Sequence, residues 1–295
     1  MAVQDGAAPT QLRSMSAPQP LGAYLRELWD RRQFTMSLAV GSLRAQHLDT
    51  TLGNVWHVLN PALLVLVYYI VFGVLLGTDR NVENFITFLA IGIFTFSFMQ
   101  KTVQACGSSI PNNLGLIRSL QFPRAVLPIS TVIRELSGYG FAAAVLLAVL
   151  LITGEYPRRS WVLVPAIVVL LSMFSAGLGM FVARLTDRVR DIANLLPYVF
   201  RLLFYLSGII FSVAAFVTPD AVERIHEALS AEQVRMLFVL NPFYTYIELM
   251  RDVLMTTYSA EFAAEAWLVA ITVAPTTFVI GLLYFRGGEK TYGRG

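Results

Sequence analysis

Charge is scarce in this chain: of 295 residues only 14% are Asp, Glu, Lys or Arg, while 56% are hydrophobic. A soluble domain carries roughly 25% charged and 45–50% apolar residues, so the composition predicts an integral membrane protein. Cysteine is almost absent; the single Cys106 excludes an internal disulfide framework and a cysteine metal cluster. The three histidines, His47, His57 and His226, show no metal-ligand spacing. The first twenty residues lack an apolar core, so no cleavable signal peptide is expected. No G-x-x-x-x-G-K-S/T run offers a P-loop, and no G-x-S-x-G, H-E-x-x-H or carboxylate cluster suggests an enzyme. Mid-membrane acidic residues, which ion-coupled transporters use, are also missing; Arg201 is essentially alone there, with Glu135 and Asp191 near the edges. The net charge of +3 needs no nucleic acid, because basic residues are expected at membrane edges.

What is present is a series of six apolar runs, each long enough to cross the roughly 30 Å of hydrocarbon in a bilayer. They cover about Leu59–Leu76, Phe85–Ala105, Leu136–Thr153, Trp161–Ala183, Ile192–Val217 and Ala266–Phe285. The expected fold is all-α and polytopic, with six transmembrane helices. The third is expected to begin near Pro128, which sets Arg134 and Glu135 at the membrane edge, and the sixth to bend at Pro275. Before the first span, Leu21, Tyr24, Leu25, Leu28 and Trp29 recur at helical spacing opposite Arg26, Glu27, Asp30 and Arg31, the pattern of a helix lying in the interface. The chain thus divides into a disordered tail over 1–20, an interfacial amphipathic segment over 21–57, a membrane domain over 58–286 and a second tail over 287–295. With the N-terminus inside, thirteen lysines and arginines fall on the cytoplasmic side against six outside, so both termini are expected in the cytoplasm.

Two polar stretches stand apart. Pro111 to Pro128 is too short for a domain but holds one brief helix: Asn112 or Asn113 can cap it, Leu114 and Ile117 share a face, and Pro123 stops it. With Arg118 and Arg124 it makes a basic handle at the cytoplasmic surface; as a plain connector, its arginines would hold lipid head groups instead. Between the fifth and sixth spans, Thr218 and Pro219 open a helix with Val222, Ile225 and Leu229 on one face. Asn241-Pro242 opens another, with Phe243, Tyr246, Ile247, Met250 and Leu254 on one side and Glu248, Arg251 and Asp252 on the other. Both are too short to span, and they suit an outer gate or a cover that stabilises the bundle.

Aromatic residues are plentiful, with 20 Phe, 12 Tyr and 4 Trp, and some form stripes. Tyr68 and Phe72 are one turn apart in the first span with Tyr69 beside them, and Tyr198, Arg201 and Tyr205 share a face of the fifth. Rings stack on the apolar faces of sugars while hydroxyl and guanidinium groups supply hydrogen bonds, so these six residues suit a glycan path. The structural alternative for Arg201 is a pair with Glu135 or Asp191. Phe94 and Phe98 repeat the spacing and are better read as helix packing.

A set of short motifs then follows one order. Leu52-Gly53-Asn54-Val55-Trp56 leads into Asn60-Pro61 and Tyr68-Tyr69-Ile70-Val71-Phe72-Gly73. Asn113-Leu114, Ile117, Phe122-Pro123-Arg124 and Leu127-Pro128 come next, then Arg190-Asp191-Ile192, Leu206-Ser207-Gly208-Ile209-Ile210, and Asn241-Pro242-Phe243 with Glu248 and Arg251. In this order, over about residues 40 to 285, the chain resembles the ABC-2 type permeases that export bacterial polysaccharides, the Wzm family. It departs from them where Leu43-Arg44 and His47-Leu48-Asp49 replace an arginine-aspartate pair and a basic-aromatic step.

The resemblance implies a homodimeric, non-enzymatic transport subunit in the bacterial plasma membrane, each copy bound to a separate ABC ATPase subunit. ATP and Mg would sit on that partner, and this chain would hold no cofactor. A lipid-linked polysaccharide, galactan in particular, would pass between the copies from the cytoplasm to the outer face. Asn112, Asn113, Leu114, Ile117, Arg118, Phe122, Pro123 and Arg124 would form the coupling helix. Tyr68, Tyr69, Phe72, Tyr198, Arg201 and Tyr205 would line the path, and Val222, Ile225, Asn241, Pro242, Phe243 and Tyr246 would form the outer gate. The competing readings are an ABC-2 exporter of a drug or small lipid, a structural scaffold, and a membrane glycan-processing enzyme. The enzyme would have to use Asp79, Glu83 and Glu155, which form no convincing set.

Overall fold

The structure, a computed structural model, describes residues 20–45, 55–75, 77, 82–219, 230–289 and 291–292. The expected tail over 1–19, the Leu52-Gly53-Asn54 step, Asp79, and Val222, Ile225 and Leu229 lie outside the described residues. Among those described, every regular element is helical. Helices α1 (Leu21–Asp30) and α2 (Arg32–Ala45) precede α3 (Trp56–Tyr68), which continues as a π-helix over Tyr69–Leu75. Then come α4 (Phe85–Gly107), α5 (Leu114–Ser119), α6 (Val126–Ile152), α7 (Val164–Arg188) and α8 (Ile192–Leu206). The chain ends with α9 (Val213–Phe216), α10 (Ala231–Val239), α11 (Pro242–Leu254) and α12 (Ala263–Gly287), the last running unbroken through Pro275.

Among the described residues, five stretches are long and apolar enough to cross a membrane: Val58–Leu75, Phe85–Gly107, Val126–Ile152, Arg159–Arg188 and Ala263–Gly287. The expected Ile192–Val217 span is corrected. Its helix α8 has 15 residues, about 22 Å at 1.5 Å per residue, and the chain leaves it at Ser207. At Gly208 φ is +58°, a left-handed conformation open to glycine because it has no Cβ. A helix that ends there frees carbonyls that, inside a membrane, must find donors within the protein.

Those donors come from α11. This helix starts as the sequence predicts, with Pro242 at its first position and Asn241 Oδ1 accepting from the Phe243 amide at 3.1 Å. The two-sided pattern fails, however: every residue from Phe243 to Arg251 is buried, as are Val253 and Leu254. Glu248 and Arg251, read as the outward side, are interior groups. Arg251 is 1% exposed, and its guanidinium donates to the carbonyls of Phe88 at 3.2 Å, Gly208 at 2.9 Å and Ile209 at 3.0 Å. It also lies over the Phe88 ring, 3.3 Å from the centroid. On α4, Gly92 makes room: a Cβ there would stand 2.8 Å from Arg251 Nη2. Glu248 accepts the Tyr258 hydroxyl at 2.7 Å.

Around this clasp the layers are unequal. The α4 stretch is 78% buried against 11% for Val58–Leu75, so α4 is the centre of the bundle and α3 its margin. Phe94 and Phe98 of α4 are core residues. Helices α7 and α12 form the most extensive pair. A Cβ on Gly281 would lie 2.0 Å from the Gly177 carbonyl oxygen, so the two backbones touch where only glycine fits. At the end of the bundle away from α1, the last carbonyls of α11 are taken by Arg158, Ser160 and Trp161. Glu155, fully buried, accepts from Asn84 Nδ2 at 2.9 Å and from the amide and hydroxyl of Thr256. Burial pushes its carboxyl up, but the bonds from Thr256, Asn84 and Thr257 outweigh burial and hold it below the usual carboxylate range.

Two stability predictions follow from these groups. Replacing Arg251 by Met strips three buried carbonyls of their donor, at about 1–3 kcal/mol each, and should sharply lower the thermal midpoint in detergent. Arg251→Lys, which keeps the charge but not the three-way fork, should fall in between. Glu155→Gln should cost about 1–3 kcal/mol at pH 7. Because the folded pKa is depressed, the wild-type advantage is present above the ordinary glutamate value of roughly 4.3 and should vanish as the pH falls through the lower folded value. Thermal unfolding of both chains across pH measures the gap.

Candidate functional site

The stretch around α5 is built on a small core of its own at the end of the bundle where α1 meets the end of α12. Ile117, Phe122, Ala125, Val126 and Leu127 pack with Tyr24 from α1, Met180 and Ala183 from α7, Leu282 and Phe285 from α12, and Tyr292. Phe34 of α2 meets Phe122 edge-on at 5.5 Å between ring centroids. The expected single helix is shorter and differently capped. Pro111–Asn113 forms a 3-10 turn, and α5 proper covers six residues. Asn113 stands at its N-cap position without capping through its side chain, which instead donates to the Ser109 carbonyl at 2.8 Å.

Pro123 does not end the helix; Leu120 already turns extended at φ −127° and ψ 145°. The termination is explained by Arg124, whose Nη1 donates to the Ile117 carbonyl at 3.0 Å and the Leu120 carbonyl at 3.4 Å. A cation on the last carbonyls of a helix satisfies them and complements the dipole. Arg124 is therefore a brace, not an outward group. Of the eight residues predicted for this site, Ile117, Phe122 and Pro123 are buried, Asn113, Leu114 and Arg124 half-buried, and Asn112 and Arg118 exposed. The outer side of the turn and helix is made of Asn112, Gly115, Arg118 and Ser119.

One group that the sequence reading missed ties this handle to both ends of the chain. Glu289 Oε1 accepts the Tyr24 hydroxyl at 3.0 Å and the Arg124 amide, and the Tyr24 oxygen in turn accepts the Ala125 amide at 3.3 Å. Residues 265 apart in sequence thus meet on one carboxylate. No local pattern marks Glu289, because its partners lie in other parts of the chain. Burial pushes its carboxyl above the usual range, although the Arg124 and Tyr24 bonds and the Arg124 and Arg286 charges pull it down. Tyr24 is the only buried residue of α1; Leu21, Leu25 and Trp29 are exposed, so the apolar side of α1 faces outward, as a helix lying in lipid would.

The aromatic stripes come together on the opposite flank. Tyr68 stacks on Phe72 at 5.8 Å and meets Phe204 of α8 at 5.4 Å, so α3 and α8 are neighbours. Tyr68 also lies within electrostatic reach of Tyr205 and Arg201. Tyr198 is 69% and Tyr205 54% exposed, and Arg201 is exposed beside them. Tyr69 and Phe72 are half-buried; the Tyr69 ring lies against Gly73, where a Cβ would stand 3.1 Å from it. The suggested pairing of Arg201 does not occur: Glu135 pairs with Arg134 at 2.6 Å, and among the described residues no carboxylate is within ion-pair distance of Arg201. Of the residues predicted for a gate, Asn241 is only half-buried, whereas Phe243 and Tyr246 are interior. Phe243 meets Phe96, Phe174 and Phe200, and the Tyr246 hydroxyl donates to the Ala270 carbonyl at 3.2 Å.

A helical bundle with several membrane-crossing helices, a braced surface helix at one end and an exposed aromatic-arginine flank has the form of a membrane transport domain. The comparisons give the family: residues 34–255 match the ABC-2 type transporter model, and the chain belongs to that family. Among curated relatives, it is 26% identical over 239 residues to the O-antigen export system permease protein RfbA of Myxococcus xanthus, covering 81% of this chain and 83% of that one. It is 25% identical over 246 residues to the protein of the same name from Klebsiella pneumoniae, covering 83% and 87%. With the polysialic acid transport protein KpsM of Escherichia coli the identity is 24% over 259 residues, covering 86% and 93%.

The Glu289 junction yields a test with a definite sign. Glu289→Ala leaves the Tyr24 hydroxyl and the Arg124 amide without an acceptor and should cost about 1–3 kcal/mol. Glu289→Gln keeps an acceptor and removes a carboxylate whose raised pKa makes its ionised form unfavourable. At pH 7 the Gln chain should be at least as stable as wild type, and any advantage should shrink as the pH falls through the raised folded value toward roughly 4.3. Thermal midpoints of the three chains in detergent check this.

Proposed function

We propose that the chain is the permease subunit of an ATP-driven exporter that moves a lipid-linked polysaccharide, galactan in particular, from the cytoplasm to the outer face of the plasma membrane. The observation that carries the reading is α5: its outer side is exposed and its inner side is wedged into a separate core. A helix held this way can receive a push from a partner and pass it on without bending. The relatives named for O-antigen export and polysialic acid transport supply the cargo class.

In this reading two copies pair and each binds one ATPase subunit, which holds ATP and Mg. Closure of the ATPases drives against Asn112 and Arg118. Buried Ile117 and Phe122 carry the displacement to α6, α7 and α12, while Arg124 keeps α5 intact. The exposed flanks of α3 and α8 face the second copy, and Tyr68, Tyr69, Phe72, Tyr198, Arg201 and Tyr205 line the path. Arg201 can donate to sugar hydroxyls or phosphates there because no carboxylate among the described residues engages it. Asn241, Pro242, Phe243 and Tyr246, together with Val222 and Ile225, form the outer gate. Both termini stand on the cytoplasmic side with α5.

The test is co-purification with the ATPase subunit encoded beside this chain. Arg118→Glu should weaken association by about tenfold or more, the size of one lost interface anchor of roughly 1.4 kcal/mol. Arg201→Ala should lower polymer export with assembly and basal ATP hydrolysis intact. Wild-type association with Arg118→Glu would remove α5 from the ATPase contact, and undiminished export by Arg201→Ala would remove Arg201 from the path.

A further inference from the structure

A cavity of about 750 Å³ opens between α3, α4 and α6, lined from α3 by Trp56, Asn60, Pro61 and Leu64. It holds three charges: Lys101 of α4, and Arg134 and Glu135 of α6. Arg134 is spent within the protein, since its Nε and Nη2 both reach Glu135 Oε1, at 3.0 and 2.6 Å. That leaves Lys101, which is exposed to the cavity and, among the described residues, makes no hydrogen bond or ion pair. The lining therefore carries one uncompensated positive charge, two cations against one carboxylate.

Its depth is informative. Lys101 lies six residues before the end of α4 at Gly107, about 9 Å along the helix, and Glu135 lies nine residues into α6, about 13 Å. Both stand below the surface of membrane-crossing helices, where a lone ammonium is costly and usually faces a ligand. Asn60, Gln104 and Ser108 add neutral hydrogen-bonding groups around it, Leu64, Phe94 and Phe98 give apolar wall, and Trp56 stands at the rim, where indole favours the interface. A polar, net-positive pocket with apolar walls about two turns from the helix ends, in the size range of small-molecule sites, matches an anionic head group with its first methylenes.

We propose that the α3–α4–α6 cavity binds the phosphate of a lipid head group, with Lys101 as the charge that holds it. Asn60, Gln104 and Ser108 hydrogen-bond the phosphate ester, and the Arg134–Glu135 pair fixes the floor. The phosphate can come from an anionic phospholipid of the leaflet or from a polyprenyl carrier. The site shares no lining residue with the aromatic flank and does not depend on the cargo.

Native mass spectrometry of the full-length chain in maltoside detergent, titrated with phosphatidylglycerol, phosphatidylcholine and polyprenyl phosphate, tests it. At least one of the two anionic lipids should bind in preference to phosphatidylcholine. Lys101→Gln should weaken that binding about fivefold, the effect of one lysine near an anionic surface. Lys101→Arg should keep it, and Arg188→Gln, an exposed cation at the same end but outside the cavity, should leave it unchanged. Preference for both anionic lipids supports the site with the leaflet as a source, and preference for polyprenyl phosphate alone supports it with the carrier as the source. No preference over phosphatidylcholine in the wild type, or equal loss in Lys101→Gln and Arg188→Gln, overturns the proposal; either would show a lysine that merely reaches to the surface.

Discussion

The fold depends on one donor group placed where the membrane offers none. The break after α8 frees carbonyls at Gly208 and Ile209, and the Arg251 guanidinium takes both together with that of Phe88. A guanidinium suits this task because its planar fork offers several donors and stays charged when buried. Once that fork is required, other features follow. Helix α11 has to sit inside the protomer, α4 has to carry glycine at position 92 to admit the guanidinium, and the fifth apolar run cannot be one straight span. A buried charge of this kind is tolerable only when its donors are satisfied, and here an aromatic face completes the shell.

The second organising feature is the division between the large core and the small one under α5. The bundle interior is mostly aromatic and aliphatic, whereas the terminal core is stitched by a few polar bonds meeting at Glu289 and Tyr24. Because that junction joins α1, the loop after α5 and the end of α12, a displacement of α5 is shared among three parts of the chain rather than absorbed by a flexible loop. The polar seal at the other end, around Glu155, plays the matching part there by tying the start of α4 to the segment after α11.

The long spans were legible because uninterrupted apolar runs leave little choice: the helices begin and end within a few residues of the predicted points for α4, α7 and α12, and α6 starts at Val126, close to Pro128. The Asn241-Pro242 start of α11 was legible for the same local reason, a cap and a proline whose effects are settled within one turn. What stayed hidden was set by distant partners. Periodicity sorts residues by polarity, so it sent Glu248 and Arg251 outward; Arg251 is held inside by carbonyls 42 to 163 residues away in the chain. Arg124 was read as a basic surface residue because nothing local says that its guanidinium turns back on the carbonyl of residue 117. The π-helical turn at Tyr69–Leu75 and the gap after Leu206 leave no mark on hydropathy, because each falls inside an apolar run. The ABC-2 motifs were legible as an ordered set, although they said little about which of their residues face outward.

The contact of bare backbones at Gly177 and Gly281 has a mechanical consequence. Two helices that touch through a notch in each cannot slide past one another by a residue without driving a side chain into a main chain. The α7–α12 pair, with α4 packed along α7, is therefore locked against internal sliding and can shift only as one block. Any rearrangement within a protomer has to be carried by the parts that share little buried surface with it, α3 with its π-turn and the short α8, which hang on the block as shutters on a frame.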